Sequence, residues 1–426
     1  MNILYLAHRI PYPPDKGDKL RAFRHIEHLS KHHRVWCACF IDTPADRQYV
    51  VPLARYCQDL IAIPIRSLPS TIRGLAGLVR GGTITESFYR HRTMIDTLRQ
   101  WSHAIPFDVV VAFSSSMAPY ALQVPAKRRV LDLCDCDSEK WLEYAVASRG
   151  PARWVYLTEG RRLAARERAF VEEFDATLLI TKAEATILRG TTRSSKLHVI
   201  TNGVALPDEA PRGLPARRDL IPLAAQVVIG FVGVMNYRPN VDAVCWFVEQ
   251  CWPTIHSAFP RATFRIVGRS PVRRVRRLER FPGVQVVGGV DEILTEVRQF
   301  EVSVAPMRMA RGLQNKVLEA MAAAKPVVLT SKAAEGINAR DTEDYFIADT
   351  AQETISAVVR LLGDSVEGER VVQNARRFVA AHHRWDDILR GFELIITGAF
   401  EREASCTPIS AAALTSPPSP VGVASS

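Results

Sequence analysis

The chain has 426 residues, 47% of them hydrophobic and 23% charged, a length that implies about two domains and a composition that excludes a largely disordered or collagen-like chain. Fifty-five Lys and Arg against 45 Asp and Glu leave a formal charge of +10, which favours anionic partners such as nucleotides, nucleic acid or an anionic lipid surface. No stretch reaches the ~18 apolar residues of a membrane span, and the apolar start, Met1 to Ala7, lacks a basic n-region and runs straight into His8 and Arg9, so it does not read as a signal peptide.

Residues 3–7 predict a strand and the turn-rich 11–17 a loop, after which Leu20, Phe23, Ile26 and Leu29 recur at helical spacing over 19–30. Strands follow at 35–41 and 60–65, a helix at 94–101, a strand at 108–113, a helix start at 118–122, a strand at 130–133, a charged helical stretch at 157–174 and a strand at 177–180. Near-continuous apolar strands alternating with helices imply a parallel sheet covered on both faces. Between 206 and 225 the pattern fails among Pro207, Pro211, Pro215 and Pro222, as an interdomain linker would. The alternation then restarts, with strands at 227–232, 264–267, 284–287, 302–305 and 326–330 and helices at 241–259 and 316–324. The expectation is two Rossmann-like α/β domains, 1–205 and 226–400, facing each other across a cleft, with a disordered Ser, Pro and Ala-rich tail at 401–426. The cysteines include no Cys-x-x-Cys pair, and Cys37 with Cys39 and Cys134 with Cys136 alternate along apolar runs where a bridge would be strained, so reduced thiols are expected.

Open parallel sheets bind ligands beyond the carboxyl ends of their strands. In the second domain the polar loops there are 233–240 (Gly-Val-Met-Asn-Tyr-Arg-Pro-Asn), 268–274 and 306–316. Gly312 before a helix start leaves backbone N–H groups for a phosphate. Lys316 lies in the first helical turn, where the dipole disfavours a cation unless an anion sits between them, and Glu319, three residues on, shares its face and suits ribose hydroxyls. The plain alternative is a solvated Lys-Glu pair.

The run Arg311-Gly-Leu-Gln-Asn-Lys-Val-Leu-Glu-Ala-Met-Ala-Ala-Ala-Lys-Pro-Val-Val328 resembles the donor-site motif of glycosyltransferase family 4, supported by Phe231-Val-Gly233, Phe264-Arg-Ile-Val-Gly268 and His198-Val-Ile-Thr-Asn-Gly-Val204. The opening 5–21 and the run 131–141 (Leu-Asp-Leu-Cys-Asp-Cys-Asp-Ser-Glu-Lys-Trp) resemble a narrower branch, the sugar transferases of bacterial exopolysaccharide and PEP-CTERM systems. The resemblance implies the GT-B fold and transfer of a sugar, with retention of configuration, from a nucleotide diphosphate sugar to a glycan or lipid-linked acceptor. The first domain would then be the acceptor side and the second the nucleotide-sugar side. It implies donor contacts at Gly17, Gly233, Asn236, Gly268, Gly312, Leu313 and Asn315, and a catalytic set of Lys316, Glu319 and Arg238. No cofactor beyond the nucleotide sugar, and no metal, is expected.

The sequence also departs from that family. Where many members carry a second glutamate eight positions before Glu319 stands Arg311, the Arg after the Phe-Val-Gly turn is Val234, and the matching Lys is Pro239. Arg238 and Lys316 are the candidates for the missing positive charge. On the acceptor side His8 ends the first strand, Ser115 follows a strand without a Gly-x-Ser-x-Gly elbow, and Asp135 and Asp137 follow another. Asp135-Cys-Asp137 has the form of a D-x-D metal motif, but the two-sheet architecture favours acceptor binding or loop capping. The arginines of 261–280 read either as a solvated helix face or as a patch on an anionic membrane. Phe264 and Phe281 alone offer stacking there, so no nucleic-acid partner is expected. The expected location is cytoplasmic, at the inner membrane face if that patch docks. The rival readings are a nucleotide-sugar epimerase of the same fold and a non-catalytic anion-binding protein.

Overall fold

The computed structural model describes residues 1–15, 17–189, 194–206 and 227–399. The expected linker, apart from Leu206, and the expected tail at 401–426 lie outside the described residues.

Two parallel sheets organise the chain. The first contains β1 (Asn2–Ala7), β2 (Arg34–Ile41), β3 (Asp59–Pro64), β4 (Phe107–Phe113), β5 (Ala126–Cys134), β6 (Ala176–Leu179) and β7 (Leu197–Val199), in the order β3-β2-β1-β4-β5-β6-β7. The second contains β8 (Val227–Val232), β9 (Ala262–Val267), β10 (Val284–Gly288), β11 (Val302–Ala305), β12 (Val327–Leu329) and β13 (Phe346–Ile347), in the order β10-β9-β8-β11-β12-β13. Both are the doubly wound α/β sheets expected.

Side chains alternate along each strand, so the first sheet builds two cores. Leu4, Leu6, Trp36 and Phe40 pack on one face, and Ile3, Tyr5, Cys37 and Cys39 on the other. The second face is closed by the last helix, Trp385–Thr397, whose Phe392, Ile395 and Ile396 join that cluster. His25 stacks on Phe392 with ring centroids 3.8 Å apart, and Glu393 accepts from His28 and His33 at 2.7 and 2.9 Å. The stretch 226–400 therefore does not form one body: its last helix crosses back to the first domain. Gly203 permits that crossing, because a Cβ there would lie 2.6 Å from the Trp385 ring.

The predicted helix at 241–259 is two, Arg238–Gln250 and Trp252–Ala258. Pro253 is the cause: it has no N–H to continue the ladder and sits in the first turn of the second helix. Between β3 and β4 a helical hairpin, Ser67–Val79 and Ile84–Tyr89, precedes the expected helix, which spans Arg92–Ala104. The described cysteines are all unbridged, and no helix among the described residues is long and apolar enough to cross a membrane.

Candidate active site

Strand order reverses between β1 and β4 in the first sheet and between β8 and β11 in the second, which opens a crevice beyond the carboxyl ends of each pair. His8 follows β1 and Ser115 follows β4; the loop from Gly233 follows β8 and that from Pro306 follows β11. The expected site residues thus stand at two facing switch points.

On the second domain the glycine turns interlock. Gly268, at φ +150°, has no room for a side chain, since a Cβ would meet the Gly233 carbonyl, and a Cβ on Gly233 would lie 2.6 Å from Asn240 Nδ2. Asn240 is the pin of this turn: it donates to the Val234 carbonyl at 3.0 Å and accepts from Lys316 Nζ at 2.6 Å. Lys316 Nζ also lies 4.4 Å over the Phe231 ring. Burial pushes the Lys316 ammonium down to about 7, with Glu319 pulling the other way, and burial raises the Glu319 carboxyl against the opposing charge of Lys316. Lys316 is thereby turned beneath the 233–240 turn, which it braces. Asn236 and Arg238 are exposed on that turn, Arg238 opening the helix Arg238–Gln250.

Two helix N-termini meet across the cleft. Gly17 opens the helix Gly17–Leu29 and Asn315 the helix Asn315–Ala322, and a Cβ on Gly17 would lie 3.2 Å from Asn315 Nδ2. Each end presents unsatisfied N–H groups and about half a positive charge, so their meeting makes an anion cradle. The connection is braced by Arg21, which is fully buried. Its guanidinium donates to Asp132 at 2.8 Å, to the Ile200 carbonyl at 2.7 Å and to Asn202 Oδ1 at 3.1 Å, and Asn202 donates to Asn315 Oδ1 at 3.1 Å. Arg21 lies off the face marked by Leu20, Phe23, Ile26 and Leu29, and nothing in its spacing points to Asn202, 181 residues away.

Arg311, at the position where a glutamate was expected, lies among carboxylates of the first domain. It reaches Glu143 at 2.8 Å, Glu139 at 3.2 Å and Glu184 at 3.4 Å. The next residue, Gly312, has φ +61°, a conformation that favours glycine, and a Cβ there would lie 2.3 Å from Asp135 Oδ1. That Asp135 oxygen is buried with no hydrogen-bond partner among the described residues. Burial first, then Glu184 and Asp137, push the Asp135 carboxyl up to about 7 against the pull of Arg21 and Arg311. Asp135 can therefore give or take a proton near neutrality. Leu313 is partly buried against the second domain's core.

On the acceptor side His8 stacks on Phe113 with centroids 5.8 Å apart and meets the edge of Tyr89 at 6.1 Å. Its Nε2 is 3.5 Å from Asp18, while its Nδ1 is buried without a partner among the described residues. Although burial pushes Asp18 up, His8 and Arg9 hold its carboxyl well below the usual carboxylate range. Ser115 is wholly buried and donates to Asp137 at 2.8 Å. Ser115 thus tethers the start of the helix Asp137–Val146 instead of facing the cleft. Of the basic stretch, Arg265 pairs with Glu296 at 2.8 Å and Arg269 with Asp15 of the first domain, which leaves Arg273, Arg274, Arg276 and Arg277 exposed around the buried Val275. Among the described residues no group of three or more His, Cys, Asp or Glu is placed to hold a metal ion.

Residues 226–364 match the family of glycosyl transferases group 1. No curated protein matches the chain. Among solved structures it is similar to Anabaena Alr3699/HepE in complex with UDP and glucose, at 14% identity and a TM-score of 0.65 over 93% of this chain and 100% of that one. It is similar to sucrose-phosphate synthase from Thermosynechococcus elongatus, at 17% identity and a TM-score of 0.65 over 95% of this chain and 100% of that one. A third likeness is to WaaG, a glycosyltransferase involved in lipopolysaccharide biosynthesis, at 17% identity and a TM-score of 0.63 over 93% of this chain and 100% of that one. At such identities these likenesses speak to the fold, while the family match speaks to the residues that carry Gly233, Gly268, Gly312, Lys316 and Glu319. Residues 226–364 therefore carry the match to glycosyl transferases group 1, in a chain with the two-sheet GT-B fold.

Proposed function

We propose that this glycosyltransferase moves a sugar from a nucleoside diphosphate donor to a glycan or lipid-linked acceptor in the synthesis of an exopolysaccharide or other cell-surface polysaccharide. The observation that carries the reading is the meeting of two helix N-termini, at Gly17 and Asn315, at the mouth of both switch points. A leaving diphosphate gathers negative charge as the glycosidic bond breaks, and fixed N–H groups aimed at it stabilise that charge without reorganising. Glu319, on the helix that starts at Asn315, would accept from ribose hydroxyls, and Lys316 would keep the 233–240 turn in shape for the donor. Arg238 lies exposed on that turn, free to reach a phosphate. The resemblance to UDP-binding HepE makes a uridine nucleotide the first donor to try.

The acceptor hydroxyl would enter from the side of His8 and Asp135. Its oxygen bonds to the anomeric carbon on the face that the diphosphate leaves, which gives retention, while the bond from that carbon to the diphosphate breaks and the hydroxyl proton passes to the departing phosphate oxygen. Arg311 and Arg269, each paired across the cleft, would hold the domains together while water is excluded. No metal is needed in this scheme.

The test is a thermal-shift screen against a nucleotide-sugar panel, since a bound ligand raises the apparent stability. The unsubstituted protein is expected to respond to one nucleotide, and Glu319→Ala and Lys316→Ala to bind it at least about tenfold more weakly, the loss of one charged hydrogen bond, while keeping a cooperative melt. Unchanged affinity in both variants would remove the site. Incubation with donor alone separates transfer from epimerisation, which would need no acceptor. Activity is expected to survive EDTA; complete loss restored by manganese would return Asp135 and Asp137 to a metal role.

A further inference from the structure

The helix Ser67–Val79 is built inside out. Leu68, Ile72, Leu75 and Val79 recur on one face, yet they are 73%, 61%, 45% and 82% exposed, while Gly74 and Gly77 face inward against Ile84 and Ser87. A surface helix ordinarily buries its apolar stripe, so this one needs cover from outside. The hairpin is held firmly. Arg73 donates to the Ser87 and Phe88 carbonyls at 2.8 and 2.7 Å, and Glu159, on the long helix Gly150–Glu173, accepts from the backbone of Ile84 and Thr85.

Between the hairpin and that helix lies a pocket of about 530 Å³ with walls that include Leu75, Ile84, Phe88, Tyr89, Trp141 and Tyr156. Its two ends identify its use. Leu75 belongs both to the pocket and to the exposed stripe, whereas Tyr89 belongs both to the pocket and to the cleft, its ring edge against His8. The pocket therefore links an exposed apolar face to the acceptor end of the active site. The charge around it is one-sided. Residues 66–92 carry Arg66, Arg73, Arg80, Arg90 and Arg92 against Glu86, and Glu86 is already paired with Arg166 at 2.8 Å. An apolar stripe on a segment with this excess of arginine fits an anionic lipid surface.

We propose that this pocket holds the hydrocarbon chain of a lipid-linked acceptor, drawn from the anionic membrane on which the stripe rests. At ~30 Å³ for each water-sized group, it has room for roughly eighteen carbons. The proposal rests on the glycosyltransferase reading and names the apolar part of its acceptor.

The test titrates dodecyl phosphate, below its micellar concentration, into the full chain by calorimetry, with UDP titrated separately. Saturable binding is expected in the unsubstituted protein. Ala152→Trp, which fills the pocket from an exposed lining position, is expected to weaken it at least tenfold and leave the UDP affinity within twofold. Equal affinity in both proteins, or displacement of the probe by inorganic phosphate, would overturn the proposal. Equally tight binding of dihexanoyl phosphatidylglycerol would make the pocket a bulk-lipid anchor and overturn the acceptor assignment. A protein that takes the chain but not UDP would count against the donor reading while the pocket stands.

Discussion

Asp135 sits where the two domains meet. Its unpartnered oxygen faces Gly312, and burial together with Glu184 and Asp137 raises its pKa to about 7. An unfolded aspartate releases its proton near pH 3.9. Between about 4 and 7 the folded state therefore binds the extra proton, and its stability falls as pH rises. Asp135→Asn removes this loss, so the variant is expected to gain more in Tm over the unsubstituted protein at pH 7.5 than at pH 5. Thermal melts at the two pH values check it, and an equal gain at both would mean that the carboxyl is ionised throughout. Lys316 has the opposite slope. Held to about 7 against an ordinary value near 10.4, it makes stability rise between those limits.

At the scale of elements, the loop after β11 docks on the helix Asp137–Val146 through Arg311, with Glu139 and Glu143 from that helix and Glu184 from the helix Lys182–Arg189. The family's glutamate at this position would add a carboxylate to three others; the arginine matches them instead. The pairs are partly exposed, so about 0.5 kcal/mol each is a fair allowance, and together they shift the closed population about tenfold. Arg311→Glu is expected to lower turnover by at least that factor at saturating donor while leaving UDP affinity unchanged, which steady-state kinetics with a UDP titration would read. Full turnover would show that closure does not run through this loop. None of these pairs was legible beforehand, because the partners lie 127 to 172 residues away in sequence. The glycine turns at Gly233, Gly268 and Gly312 were legible, since a turn after a strand leaves a local mark. The strands were placed within a few residues because buried parallel strands are continuous apolar runs. The apolar stripe of the Ser67–Val79 helix, Leu68, Ile72, Leu75 and Val79, has ordinary helical spacing, but nothing in that spacing says that it faces outward while Ser70 and Gly74 face in.

For the whole molecule, the proposed membrane contact has two candidate surfaces. The second domain offers Arg273, Arg274, Arg276 and Arg277, but Val275 and Leu278 between and beside them are buried and Val272 and Phe281 partly so, which leaves less apolar surface there than on the hairpin. Each surface cation contributes about 1 kcal/mol near an anionic leaflet, and that attraction reaches only about 8 Å at physiological salt. The first domain's hairpin offers arginines and an exposed apolar stripe together, and the apolar share of its binding is not screened by salt. In sedimentation with phosphatidylglycerol vesicles, Leu68→Ser with Ile72→Ser and Val79→Ser is expected to release the protein at physiological salt. Replacing the four second-domain arginines by Gln is expected to leave it bound. The substituted hairpin positions are exposed, so both variants should melt as the unsubstituted protein does. Retention by the hairpin variant together with release by the arginine variant would move the docking face to the second domain, and equal pelleting of the unsubstituted protein with phosphatidylcholine vesicles would remove the anionic contribution altogether.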